Sequence, residues 1–482
     1  TQTTLDYDHR VHPEIAENFM VVSQNSLATD TGYEILSKGG NAIDAAVAVG
    51  FALAVTLPRA GNIGGGGFML IYKSDSSEVH SIDYRSASPS LAKSEMYLTD
   101  SGLIRFGNIV NAVPGTVAGL IKAHREHGKL PLITVLKPAI ELARKGYKVP
   151  YDLNYVLGWA KDPLEANEVS KKKFFNNSNK PLPVGSLFKQ PNLAKSLSLI
   201  GRKGEKAFYK EEIADWIVED AKLNGGLIRK GDLMSYEAKS RAPIETTYRG
   251  YKIVSMPPAA SGGLVLLQTL NILENFDLSE LGHNSASSLH ILSEAMVRAY
   301  ADRTRFHGDP DFYQVPIKSL LDKKYAQERA DTISLSQKTP PNEISPGKGI
   351  QLDESPDTTH FSIVDSEGNA VANTYTLGSS FGSGVTVSKG GFLLNNQMRN
   401  FSHLYSKSEE VSLSTSKANK LEPGKRMIST QTPTLVFNPE GNLEMILGSP
   451  GGGRIPNIIT QIISNIIDHK LGFGEAVMSP RI

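Results

Sequence analysis

The sequence predicts an α+β fold in which a helix-rich stretch leads into a strand-rich one. Three observations carry this. Helical apolar periodicity dominates up to about residue 330, and a segment with four prolines (Pro340, Pro341, Pro346, Pro356) interrupts it at 332–357. From residue 359, runs of β-branched and aromatic residues bounded by turn signals take over. Of the 482 residues, 40% are apolar and 21% charged, enough to build a substantial core in one large multilayer domain or a few smaller ones.

In order along the chain, residues 27–39 place their apolar side chains on one helical face, and Gly39-Gly40 stops the helix. Residues 42–55 are small and apolar nearly all round, so this second helix is expected to be buried. Gly61-Asn62-Ile63-Gly64-Gly65-Gly66-Gly67 breaks the chain before a strand at 68–72, and a strand at 79–84 leads into Arg85. Residues 115 to about 330 read as mainly helical, with an extended interruption at 248–256. The segment 332–357 lacks apolar periodicity and is expected to be exposed and poorly structured. Residues 359–365 and 370–375, joined by Ser366-Glu367-Gly368-Asn369, form a β-hairpin. Further strands are expected at 391–394, 434–437 and 443–447, and no internal repeat is visible.

Composition excludes several classes. Lys+Arg 51 against Asp+Glu 50 leaves a net charge of +1, without the basic excess of a nucleic-acid-binding protein. Without cysteine there is no disulfide, thiolate metal site or cysteine nucleophile. The longest apolar stretches, such as 42–57, carry a charge or proline and fall short of a membrane span. The chain opens on Thr1 with no signal-like segment, as a mature form that has lost a targeting peptide would.

Glycines 64–67 lack the Lys-Ser/Thr of a P-loop and precede a strand, so close backbone packing is the favoured reading over phosphate binding. Gly378-Ser379-Ser380-Phe381-Gly382 matches G-x-S-x-G, but the glycine-rich residues that follow cannot supply the helix of a nucleophile elbow. The 11 histidines show no H-E-x-x-H and no metal spacing, so no metal is expected. Gly448-Ser449-Pro450-Gly451-Gly452-Gly453-Arg454 lies between a strand and an apolar helical run; it reads equally as an ordinary turn or as backbone N–H groups aimed at an oxyanion. Asp357-Thr358-Thr359-His360 places a threonine at a strand start, just after the Pro-rich segment. Cut there, the chain would give Thr358 its own α-amino group as general base.

These motifs, taken together, resemble the γ-glutamyltranspeptidases of the N-terminal-nucleophile hydrolase superfamily. The resemblance runs through residues 39–46 (Gly-Gly-Asn-Ala-Ile-Asp-Ala-Ala), 61–68, Asp83-Tyr84-Arg85, 113–119, 257–263 and 308–312. It continues through Thr358-Thr359-His360-Phe361-Ser362, Leu394-Asn395-Asn396-Gln397-Met398 and Ser449-Pro450-Gly451-Gly452. It implies a four-layer αββα sandwich and a precursor that cuts itself between Asp357 and Thr358. The products would be a large subunit 1–357 and a small subunit 358–482 that stay together. Thr358 would be the nucleophile, oriented by Thr376, with the Gly451 and Gly452 amides as the oxyanion hole. Arg85, helped by Ser429 and Thr430, would bind the substrate α-carboxylate, and Gln397 would lie near the α-amino group. No cofactor is implied. The partners would be a γ-glutamyl peptide or polymer and an amine or water acceptor, with no nucleic acid, in an extracellular or cell-surface setting.

The departures from the family pattern bear on substrate. The usual Asn-Gln-Met-Asp-Asp-Phe reads Asn396-Gln397-Met398-Arg399-Asn400-Phe401, and the Asn that usually follows Tyr-Thr-Leu is Gly378. Asn400 removes the carboxylate that grips an α-ammonium. An internal residue of poly-γ-glutamate, whose α-nitrogen is acylated and α-carboxylate free, fits such a site better than glutathione. The capsule-depolymerase branch is similar in Asn400, in Glu422-Pro423-Gly424-Lys425-Arg426 and in Arg454-Ile455-Pro456. The segment 402–422, by contrast, is about as long as an ordinary transpeptidase lid, and relatives usually continue beyond Ile482. The resulting expectation is a γ-glutamyl hydrolase/transferase working through a γ-glutamyl-Thr acyl-enzyme, on poly-γ-glutamate or related compounds. The alternatives are a glutathione hydrolase, an amide acylase, or a pseudoenzyme that binds γ-glutamyl polymer.

Overall fold

The computed structural model describes residues 13–340, 343–344, 358–404 and 415–482. Its main strands, in chain order, are β1 (Met20–Val22), β2 (Gly66–Lys73), β3 (Glu78–Tyr84), β4 (Lys239–Arg241), β5 (Ile244–Tyr248), β6 (Tyr251–Ser255), β7 (Thr359–Val364), β8 (Ala370–Thr376), β9 (Thr434–Phe437) and β10 (Leu443–Leu447). A 6-stranded sheet runs β1-β7-β8-β2-β3-β4 and a 4-stranded sheet β10-β9-β6-β5. All neighbouring pairs in both sheets are antiparallel.

Side-chain alternation along the strands builds the layers. Phe68, Leu70 and Tyr72 of β2 meet Val254, Leu435 and Phe437 in a core between the two sheets. Met69 and Ile71 of β2, with Phe361, Ile363 and Tyr375, turn the other way onto helices α1 (Ser26–Ser37), α2 (Ala42–Thr56) and α3 (Thr116–His127). On the far side, Ile253, Val436 and Met445 pack against α4 (Ser261–Leu273), α5 (Ala286–Phe306) and α6 (Ile455–Ile467). Helix, sheet, sheet, helix: this is the expected αββα sandwich.

Local signals explain the pieces that frame the site. An Asn41/Asp44 capping box starts α2, all of whose residues are buried, as its composition predicts. The hairpin β7–β8 has the register Thr359↔Tyr375 to Val364↔Ala370. Its turn residue Asp365 accepts the Ala42 N–H at 2.9 Å, fixing the hairpin to the start of α2. Among the described residues no helix is long and apolar enough to cross a membrane.

One expectation is refined and two need correction. The extended interruption is a hairpin, β5–β6, closed by Arg249 and Gly250 at φ 51° and 85°. That is the geometry of a primed two-residue turn, and it adds two strands to the smaller sheet. The strand expected at 391–394 is only a bridge between Leu393 and Thr386. Gly391, at φ 69°, turns the chain away there. Much of 332–357 lies outside the described residues, but its start is anchored: Arg298 donates to Thr332 Oγ1 at 2.8 Å and Thr339 Oγ1 at 3.1 Å. Strands from both sides of the 357/358 position share each sheet.

Candidate active site

Thr358 directly precedes β7 and Thr376 ends its partner β8, and the two line one pocket at this end of the larger sheet. Both are buried, at 7% and 5% exposure. Thr376 Oγ1 accepts the Gly378 N–H at 2.9 Å, and Gln397 Nε2 donates to the Thr376 carbonyl at 2.8 Å. The neighbouring start of β2 works through close approach: a Cβ on Gly65 would lie 2.1 Å from the Thr376 carbonyl oxygen, and one on Gly64 2.0 Å from that of Leu393. Close packing is therefore the role of this glycine run.

Arg85 follows β3 and is 1% exposed. Its Nε and Nη2 each donate at 3.3 Å, to the carbonyls of Met427 and Ile428. Its backbone is held as firmly: the N–H donates to Asp83 at 3.0 Å, and the carbonyl accepts from Tyr236 at 2.8 Å and Arg426 at 3.3 Å. Asp83 in turn pairs with Arg241 at 2.8 Å, and Asp309 accepts the Arg426 N–H at 2.8 Å. Burial opposes the charge on Arg426, but Asp83, Tyr236 and Asp309 outweigh it and hold its pKa above the ordinary arginine value.

Gly451 and Gly452 have φ 135° and 55°, a backbone that L side chains resist. The turn Gly452–Arg454 then runs into α6. Thr430 Oγ1 donates to the Gly452 carbonyl at 2.8 Å, and the Tyr300 hydroxyl donates to that of Gly453. The turn so held leads directly into the positive end of α6. Beneath this turn Gly448 packs on the ring of His360, whose nitrogens meet Thr374 Oγ1 at 2.8 Å and Ser362 Oγ at 2.9 Å.

One pocket is lined by Arg85, Thr358, Thr376, Asn400, Ser429, Thr430 and Gly452, together with Gly378, Arg399 and Gln431. It is small, about 30 Å³. A second cavity, about 690 Å³, shares Thr358 and is lined by Gly451. Of the residues to which the resemblance assigns a nucleophile, oxyanion or substrate-binding role, Gln397 is the one absent from both linings; it supports Thr376 from behind.

Gln431 was not anticipated. It is 1% exposed, and its side-chain oxygen and nitrogen have no partner among the described residues. Its place directly after the Ser429-Thr430 pair was the available signal. Among the described residues, no Asp or Glu lines the pocket. Arg399 donates to Ser379 Oγ at 3.0 Å, and Asn419 holds the Asn400 carbonyl at 2.7 Å. The Gly378 departure has a steric cause: at φ 103° a Cβ would lie 2.2 Å from Asn396 Oδ1, which accepts the Ser379 N–H at 2.9 Å. Residues after Gly382 form turns and no helix, so the G-x-S-x-G match is not an elbow. Among the described residues no three His, Asp or Glu side chains group as metal ligands do.

The description "Gamma-glutamyltranspeptidase" belongs to the family whose sequence pattern matches residues 28–482. The chain is 44% identical, over 98% of its length and 81% of the relative's, to a glutathione hydrolase proenzyme of Escherichia coli. Among solved structures it resembles a cephalosporin acylase from Bacillus halodurans, with TM-score 0.85 and 28% identity over 100% of this chain and 86% of that one. It also resembles the Helicobacter pylori γ-glutamyltranspeptidase, with TM-score 0.68 and 42% identity over 70% of this chain and 98% of that one. These similarities do not single out the capsule-depolymerase branch. The chain belongs to the γ-glutamyltranspeptidase family, and is thus a threonine-nucleophile hydrolase/transferase made as a self-processing proenzyme.

Proposed function

We propose that the chain is a γ-glutamyl amide hydrolase and transferase of the glutathione-cleaving kind, working through Thr358. The observation that carries this reading is the convergence of Thr358, Thr376, Arg85, Ser429, Thr430 and Gly452 on one pocket. The name carried by the Escherichia coli relative supports glutathione over poly-γ-glutamate as the substrate.

In this reading the bond between Asp357 and Thr358 is cut first, leaving subunits 1–357 and 358–482 interlocked through both sheets. The freed α-amino group of Thr358 takes the proton from Oγ as Oγ attacks the γ-carbonyl. Thr376 orients the nucleophile, and the Gly451 and Gly452 amides receive the developing oxyanion. The C–N bond breaks, the amine leaves with the proton, and water or a second amine cleaves the ester. Arg85, Ser429 and Thr430 hold the α-carboxylate. Gln397 acts at one remove through Thr376. An extracellular or cell-surface location accompanies this reading.

A second reading is favoured by one observation: with Arg399 and Asn400 in the wall and no carboxylate among the described lining residues, the pocket suits donors whose α-nitrogen is acylated, as in poly-γ-glutamate. Incubation with glutathione and with poly-γ-glutamate, followed by mass, separates the two. Release of glutamate and cysteinylglycine is the expected result. Shortened polymer with glutathione untouched would favour the second reading, and a free-amine preference created by Asn400→Asp would agree with it.

A further inference from the structure

We propose that Gln431 is a specificity-determining residue of the donor pocket: its side-chain oxygen accepts from the donor's α-ammonium, and its NH2 group donates to the α-carboxylate. The inference rests on the γ-glutamyl reading above and names the group that receives a free α-amine there.

Gln431 lines the small pocket together with Arg85, Thr358, Ser429 and Thr430. It is buried, and neither its side-chain oxygen nor its side-chain nitrogen has a partner among the described residues. Buried polar atoms in folded proteins are nearly always hydrogen-bonded, and leaving one unpaired is costly. An unpaired carboxamide in the wall of a substrate pocket finds its partner in the substrate. The hydroxyls around it each have a protein partner already. Thr430 Oγ1 donates to the Gly452 carbonyl at 2.8 Å, Thr376 Oγ1 accepts the Gly378 N–H at 2.9 Å, and Ser429 Oγ accepts the Gln431 N–H at 3.3 Å.

The backbone under Gln431 is fixed on both sides. The Ser429 carbonyl accepts the Ser261 and Gly262 N–H groups, at 2.7 and 3.3 Å, where α4 begins. Thr432 Oγ1 donates to the Thr430 carbonyl at 2.7 Å. A Cβ on Gly262 would lie 2.3 Å from that carbonyl oxygen, so the helix end packs directly against this segment. The side chain therefore starts from a held position, and ordering it around a donor costs little beyond its own rotamers.

The head group of the donor suits this side chain. A γ-glutamyl compound carries an ammonium, which only donates, next to a carboxylate, which only accepts. A carboxamide offers one group for each: an oxygen for the ammonium and N–H bonds for the carboxylate. The guanidinium groups of Arg85 and Arg399, both in the lining, favour the carboxylate and disfavour the ammonium. The ammonium therefore needs an uncommitted oxygen, and Gln431 has one.

The test compares γ-glutamyl-4-nitroanilide with glutaryl-4-nitroanilide, which keeps the carboxylate and lacks the α-nitrogen. The first is followed by nitroaniline release. The second is measured as a competitor of that release, so slow cleavage of it does not matter. The readout is the inhibition constant of the glutaryl compound divided by the KM of the γ-glutamyl one; neither depends on how much of a variant is folded. In Gln431→Met, which keeps the length and loses both polar atoms, this ratio should fall about three- to tenfold. In Gln431→Glu, which keeps the acceptor, it should stay at or above the wild-type value. Gln431→Met should unfold at no lower a denaturant midpoint than the wild type, because it buries no unpaired amide. A ratio unchanged in Gln431→Met, or a Gln431→Glu ratio no higher than that of Gln431→Met, overturns the assignment. The γ-glutamyl reading then stands, because γ-glutamyl-4-nitroanilide is still cleaved. Failure of the wild-type enzyme to release nitroaniline from that donor overturns the γ-glutamyl reading and the role of Gln431 together.

Discussion

Replacing Arg85 with alanine separates the structural job seen for it from the substrate-binding one proposed for it, because each has a different readout. Its guanidinium is buried and donates 3.3 Å bonds to the carbonyls of Met427 and Ile428, so the substitution orphans two buried acceptors. Bonds from a charged donor are worth about 1.5–3 kcal/mol each. At 3.3 Å these belong at the lower end, which gives a stability loss of about 3 kcal/mol. The second job is the proposed clamp on the substrate α-carboxylate. Losing one charge-assisted contact of about 1.5–3 kcal/mol lowers kcat/KM by about 10- to 150-fold, since every 1.4 kcal/mol is tenfold. The assay is kcat/KM for γ-glutamyl-4-nitroanilide against the analogue whose α-carboxylate is a carboxamide, with a denaturation midpoint measured in parallel. The ratio between the two donors should collapse by at least tenfold, whatever fraction of the variant is folded. Equal losses on both donors would refute the clamp and leave Arg85 as a brace between β3 and the 427–428 strand approach. Arg85→Lys keeps the charge but not the fork, and should recover stability only in part.

Two other perturbations follow from packing and burial. A Cβ on Gly448 would fall 2.0 Å from Nδ1 of His360, a ring held at both nitrogens, so Gly448→Ala should cost about 1–3 kcal/mol in unfolding experiments and slow acyl-enzyme formation by moving the Gly451-Gly452 turn. Adding His360→Ala should recover part of the loss, and strict additivity of the two changes would contradict the contact. His307 is 0% exposed, and burial, with Arg303 nearby, pushes its pKa down to about 3. In the unfolded chain it titrates near 6.5, so its contribution to stability is complete above that pH. It is lost as pH falls toward the folded value, at up to about 1.4 kcal/mol per pH unit. Denaturation midpoints between pH 7 and pH 4 should fall less steeply in His307→Gln, and parallel curves would refute the buried neutral ring.

What the sequence could reveal was local or carried by resemblance. The hairpin of β7 and β8 was visible because residues 359–364 alternate and Gly368 supplies the turn, and α2 because its residues are apolar on every side. The β5–β6 hairpin was hidden: its turn pair, Arg249-Gly250, lacks the usual Asn-Gly or Asp-Gly signature, although the backbone geometry is the same. Phe392, Leu393 and Leu394 looked like a strand because they are apolar, but they fill a buried loop against the helical layer. The site could not be assembled from sequence alone. Arg85 meets residues 427 and 428, and Thr358 meets Gly452, only after strands from distant parts of the chain share the two sheets. Resemblance placed Arg85 with Ser429 and Thr430, and Thr358 with Gly452, whereas the Met427 and Ile428 carbonyls, Gln431, and the place of Gln397 behind Thr376 came from packing.

The central claim is that Thr358 becomes the N-terminal nucleophile, and intact-mass measurement of the purified protein tests it most directly. The wild-type chain should resolve into two polypeptides separated between Asp357 and Thr358, the fragments 1–357 and 358–482 of the 482-residue chain. Thr358→Ala should give the single uncut chain, with no release of nitroaniline from γ-glutamyl-4-nitroanilide. An alanine variant that is still cut at that bond, or that still turns over the donor, would contradict the assignment.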